Sequence, residues 1–157
     1  KNLLRSIEYV LSKNKFIKLH SKEDNSVIIA RISKISLVTT DNDYSGKMTT
    51  VYFDDENIDS ITVNETPEKI YQNIVELDNT DFLKLHSSDD NAVMIVNTEI
   101  ISVISQSEED GKNVTTMYFN NESIESASFN ESPERIYKMM EITNNDVVVT
   151  SDKNETK

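Results

Sequence analysis

The chain repeats itself. Phe16 to Ser36 reads FIKLHSKEDNSVIIARISKIS, and Phe82 to Ser102 reads FLKLHSSDDNAVMIVNTEIIS. The offset is 82 − 16 = 66 residues. It also carries MTTVYF (Met48 to Phe53) onto VTTMYF (Val114 to Phe119) and NETPEKIY (Asn64 to Tyr71) onto NESPERIY (Asn130 to Tyr137). A fixed period held over that length is the signature of one supersecondary unit used twice. The predicted organisation is a helix over residues 1–15, a first unit over 16–76, a linker over 77–81, a second unit over 82–142, and a strand-like segment with a polar tail over 143–157.

Each unit reads as mainly β. Ile17 and Leu19 alternate with Lys18 and His20, the period of a half-buried strand. Lys22 to Asn25 is a polar turn, and Val27 and Ile29 open a second strand. Ile32 and Ile35 flank a kink before Leu37 to Thr39, and Asp41 to Lys47 reads as a hairpin loop. Val51 and Phe53 share one face, with Thr50 and Tyr52 on the other. Ile61 and Val63 point inward in the last strand, leaving Ser60 and Thr62 outside. The unit closes with a helix. Thr66 is placed to cap it, Pro67 suits its first position, and Ile70 and Ile74 lie on one face. The second unit repeats this with Ser132, Pro133, Ile136 and Met140. The predicted fold class is α+β, mainly β: two tandem antiparallel units, each a small barrel or curled sheet followed by a helix.

The ends continue the pattern. Leu3, Leu4, Ile7, Val10 and Leu11 have helical spacing and lead into Phe16 as the Ile70 helix leads into Phe82. Val147 to Val149 follow the second helix where a further first strand would begin. Both segments are expected to pack on the units. The chain opens on Lys1 without a Met, which suggests that a leading segment has been removed.

These strands resemble the FlbD-type flagellar proteins, a family of very short β-rich chains. The shared features are the Ile17-Lys18-Leu19 strand, the kink at Ile32 and Ile35, the threonine-rich strand Thr49 to Phe53, and Glu65-Thr66-Pro67-Glu68 running into Ile70 and Ile74. Asp54-Asp55-Glu56-Asn57 stands where that family has an Asn-Gly hairpin. The resemblance implies two tandem copies of a small β domain and a flagellar role. The strand pattern is also similar to LytTR-type DNA-binding domains, but the charge opposes that function. The first unit carries 6 basic and 11 acidic residues, the second 4 and 11.

Charge and composition narrow the function classes. A net charge of −12 repels nucleic acid and anionic membrane surfaces alike. No cysteine is present, which removes thiol catalysis, disulfides and cysteine zinc sites, and slightly favours the cytoplasm. With two glycines there is no phosphate-cradling loop, and no Ser/His/Asp set suggests itself.

His20 and His86 occupy equivalent positions, each sharing a strand face with a lysine, Lys18 or Lys84. One histidine per unit is too few for zinc, and both read as surface residues. Asp41 to Gly46 matches the first half of a calcium loop, but Tyr52 stands where a bidentate Glu is required. Asn64-Glu65-Thr66 and Asn130-Glu131-Ser132 fit the glycosylation sequon, yet Thr66 and Ser132 are the helix caps. Tyrosines amid small polar residues suggest an interaction surface instead: Thr50, Tyr52 and Thr62 in the first unit, and Thr116, Tyr118 and Ser128 in the second.

The expectation is a non-enzymatic interaction or structural module that binds a protein partner or itself. It needs no cofactor, metal, nucleic acid, membrane or small-molecule substrate. The alternative is an acidic nucleic-acid mimic that occupies a DNA-binding protein.

Overall fold

The computed structural model describes residues 15–43, 46–77, 79 and 81–141. The predicted helix, up to residue 14, and the predicted strand at Val147 to Val149 lie outside the described residues. The fold is α+β and mainly β, and every strand pairing is antiparallel.

Five strands and a helix make the first segment: β1 (Phe16–His20), β2 (Val27–Arg31), β3 (Ile35–Asp43), β4 (Gly46–Phe53), β5 (Ser60–Val63) and α1 (Pro67–Glu76). The second segment has β6 (Phe82–His86), β7 (Val93–Asn97), β8 (Ile101–Glu109), β9 (Lys112–Phe119), β10 (Ser126–Phe129) and α2 over 133–141. Each begins 66 residues after its counterpart, as in 93 − 27 and 126 − 60.

Local chemistry explains these elements. Ile17 and Leu19 are buried while Phe16 and Lys18 are exposed, the alternation expected of β1. The kink is a single 3-10 turn over Ile32–Lys34, matched by Thr98–Ile100. Beyond it the β3–β4 register skips Ser36, a bulge repeated at Ser102 between β8 and β9. The β1–β2 turn places Asn25 at φ 60°, and Asn91 is at 61°. Asparagine tolerates this left-handed region. The Asn64 amide donates to the Ser21 carbonyl and to Asn25 Oδ1, clamping the turn, and Asn130 does the same for the second turn. The Thr66 and Ser132 hydroxyls accept from the backbone N–H of Lys69 and Arg135, the caps their positions suggest.

The β3–β4 hairpin is tighter than the predicted Asp41-to-Lys47 loop. Strand pairing runs on to Asp43 and Gly46, favoured by Thr39, Thr40, Thr49 and Thr50 and ending at the glycine at φ 116°. In the second segment the turn is the two-residue Asp110-Gly111, both at positive φ.

The strands form three hydrogen-bonded sheets: β1-β2, β5-β4-β3-β7-β6 and β10-β9-β8. Single bridges, Ser21 to Val63 and Ser87 to Phe129, tie β1 to β5 and β6 to β10. The lateral order is therefore one continuous run, β2-β1-β5-β4-β3-β7-β6-β10-β9-β8. The two segments meet at β3 and β7, where Leu37 opposes Val96 and Val38 opposes Ile95.

Two hydrophobic cores sit either side of that junction, and each borrows from its neighbour. The first is built on Leu19, Ile35, Val51, Ile70 and Ile74, and takes in Phe82 and Ile95 from the second segment. The second is built on Leu85, Met117, Phe129 and Ile136, and takes in Leu37, with Tyr52 packed against it. Adjacent residues on β7, Ile95 and Val96, thus face different cores, as do Val38 and Leu37 on β3. Burying each such side chain stabilises by roughly 1.5–3 kcal/mol before entropy costs.

Candidate functional site

Both histidines are engaged within their own segment. His20 Nδ1 lies 2.7 Å from Glu65 Oε2, and the His20 backbone N–H donates to Glu65 Oε1 at 3.0 Å. His86 and Glu131 repeat both contacts at the same distances. The clasp joins the end of β1 to the link between β5 and α1. Burial works to raise the Glu65 carboxyl, but the hydrogen bonds from the His20 ring and backbone, helped by the His20 charge, outweigh it and hold the group below the usual carboxylate range. The predicted surface histidines are therefore half-buried members of a structural pair. Among the described residues no group of three or more His, Asp or Glu side chains stands together as a metal-ligand set.

Asp41 makes hydrogen bonds within its own hairpin. Its Oδ2 accepts from the hydroxyls of Thr50, at 3.2 Å, and Thr39, at 3.4 Å. An open cleft of about 450 Å³ is lined by residues of both segments, among them Lys34, Asp55, Glu56, Asp59 and Glu122. Within it the Ser123 hydroxyl donates to Asp59 Oδ1 at 3.1 Å.

The predicted tyrosine and threonine surface splits into two unlike halves. In the first segment Thr50 is buried, Thr62 is half-buried, and Tyr52 packs against the second core. Burial and the Asp41 charge raise the Tyr52 hydroxyl above the usual tyrosine range, with a Thr39 hydrogen bond acting the other way. In the second segment Thr116 bonds Ser107 at 2.9 Å and Ser128 at 3.5 Å, and Tyr118 stands exposed. In the first half the second segment meets Tyr52. In the second half Thr116 and Ser128 are half-buried and Tyr118 is exposed.

The same contrast runs along the two ends of the strand order. Among the described residues β2 and β8 each have a strand neighbour on one side only. One set of apolar side chains on each faces outward: Ile29 is 60% exposed and Phe16, beside β2, is 46%, while Val103 on β8 is 53%. Their counterparts at the β3–β7 junction are closed, with Ile95 at 0%, Phe82 at 4% and Leu37 at 1%. Arg31 lies 4.4 Å over the Phe16 ring. The sequence pattern pointed to the tyrosines and not to these two edges. The available signal was the pairing of equivalent residues, since Val27, Ile29 and Phe16 are as apolar as Val93, Ile95 and Phe82.

No known protein family, curated protein or solved structure gives a match to this chain.

Proposed function

We propose that this chain is a non-enzymatic interaction or structural module, made by tandem duplication of one small curled β unit, that binds protein through its two open strand edges. The observation that carries this reading is the cluster of exposed apolar side chains on β2 and β8. An unpaired strand presents a row of free backbone donors and acceptors, and natural edges are normally blunted by charge, proline or cover. Here the edges carry Val27, Ile29 and Val103, with Phe16 and Tyr118 beside them, all exposed. Strand addition supplies main-chain hydrogen bonds for affinity and alternate side chains for specificity.

Affinity capture from the native source on wild-type chain and on the double variant Ile29→Lys/Val103→Lys tests this. A partner held by the wild type and lost by the variant supports edge binding. A partner held equally by both removes it.

A second reading is an acidic mimic of nucleic acid. It draws on the net charge of −12 and on the carboxylates around the junction cleft. Binding of that kind falls steeply with salt and ignores the edge substitutions. No helix among the described residues is long and apolar enough to cross a membrane.

A further inference from the structure

We infer that the partner for each open edge is a second copy of this chain, joined head to tail: β8 of one copy pairs with β2 of the next in the register that β3 and β7 use within the chain. The inference rests on the edge-binding reading above and commits it to one occupant.

The internal junction is the template. Subtracting or adding 66 converts Leu37–Val96 into Val103–Ala30, and Val38–Ile95 into Ile104–Ile29. Every converted residue is apolar. Eight large hydrophobic side chains are exposed among the described residues, and seven have a counterpart at the 66-residue offset that is buried or half-buried. Phe16, Val27 and Ile29 answer to Phe82, Val93 and Ile95 on the receiving edge. Val103, Tyr118 and Tyr137 answer to Leu37, Tyr52 and Tyr71 on the giving edge, and Ile58 answers to Ile124 in the loop beside it. Val75 alone lacks an apolar counterpart, its equivalent being Glu141. Among the described residues, the exposure of large apolar side chains thus follows one repeating junction left unmade at both ends.

The polar contacts convert as well. At the internal junction the Asn97 amide donates to the Ile35 carbonyl at 2.9 Å, the Asn121 amide donates to Ser36 Oγ at 2.8 Å, and Ser123 donates to Asp59. Between copies the first pair becomes Arg31 and the Ile101 carbonyl, still a donor facing an acceptor. The second becomes Asp55 and the Ser102 hydroxyl, with the donor now on the other side. The third becomes Asn57 and Glu125, an amide facing a carboxylate. Each of the three converted pairs still contains a group that donates and a group that accepts.

Such a contact is heterologous. It uses different patches on the two partners, and it builds an open filament or a ring rather than a twofold dimer. Because each copy carries a net charge of −12, added salt should strengthen the assembly by screening, the opposite of a nucleic-acid mimic.

Sedimentation velocity over about 1 µM to about 1 mM chain, a range that spans weak and moderate affinities, tests the inference. The expected result for the wild type is mass that grows with concentration and with salt. Ile29→Lys closes only the receiving edge and Val103→Lys only the giving edge. Both side chains are already exposed, so both variants should melt like the wild type in the dilute monomer. Each variant alone should stay monomeric, its self-association weakened at least about tenfold. An equimolar mixture should form a one-to-one dimer and stop there, because I29K offers β8 and V103K offers β2. A homodimer of either variant alone would mean like pairs with like and would overturn the inference. So would a wild type that stays monomeric throughout. If that monomer shows hydrogen-exchange protection of β2 or β8 that vanishes on removing residues 1–14 or 142–157, the chain's own ends are the occupant instead. A monomeric wild type that still loses a captured partner on edge substitution would leave the edge-binding function standing and remove only self-assembly.

Discussion

Ile29 and Ile95 are the same amino acid at the same place in the same kind of strand, yet one is exposed and the other is sealed. The difference is the neighbour. β7 lies against β3 and sends Ile95 into the first core, whereas β2 has β1 on one side and no further strand on the other among the described residues. Burial here belongs to the position of a segment along the strand order rather than to the residue. Any substitution should therefore have two energies, one at the junction and one at the edge.

The widest gap between the two should come from truncating that isoleucine. Ile95→Ala is expected to cost about 2–5 kcal/mol in denaturant unfolding, from lost transfer energy plus the cavity left behind. Ile29→Ala in the dilute monomer should stay within about 0.5 kcal/mol of wild type. Equal costs would break the comparison. Asn97→Ala should come next, at about 1–3 kcal/mol, because it strands the Ile35 carbonyl in a buried junction.

The helix caps should show no such gap. Thr66→Ala and Ser132→Ala are each expected to cost about 1 kcal/mol in thermal or denaturant melts, since both hydroxyls make the same 3.1 Å bond on an exposed turn. A large inequality would mean that the helix following β10 is held differently from the one following β5.

The smallest effect concerns the histidine clasp. Glu65 titrates below the usual carboxylate range in the folded state. Its contribution is therefore present above the unfolded carboxyl value and is lost as pH falls through the lower folded value. Stability measured across that acidic window should drop less steeply in Glu65→Gln than in the wild type. An identical slope would show that the pair with His20 does not assist folding.

Much of this architecture was legible in order of residues. Period-two alternation located β1, the isoleucine pair at 32 and 35 located the 3-10 turn, and Thr66-Pro67 located the start of α1. These are local signals, set by backbone geometry within a few residues. The hairpin boundary at Asp41 to Lys47 was misread because polar side chains suggested a loop where paired backbone continues. Thr50 was expected on an outward face and is buried, its hydroxyl turned to Asp41 on the neighbouring strand, while Tyr52 on the same face packs against the second core. The partner of His20 was invisible for a related reason. Glu65 is 45 residues away, and only the fold brings it near, although the matching interval from His86 to Glu131 was a hint that the two belong together.

The crossing of side chains at the junction also bears on synthesis. Residues 16–76 emerge from the ribosome ahead of β7, so the part of the first core that Phe82 and Ile95 supply is added last. The first segment can form its hairpins early, since these are local, but its core matures only when the second segment arrives. A nascent chain stalled between the two would present the same kind of apolar strand edge that β8 presents in the finished molecule, and would be the point at which this protein most needs protection from its neighbours.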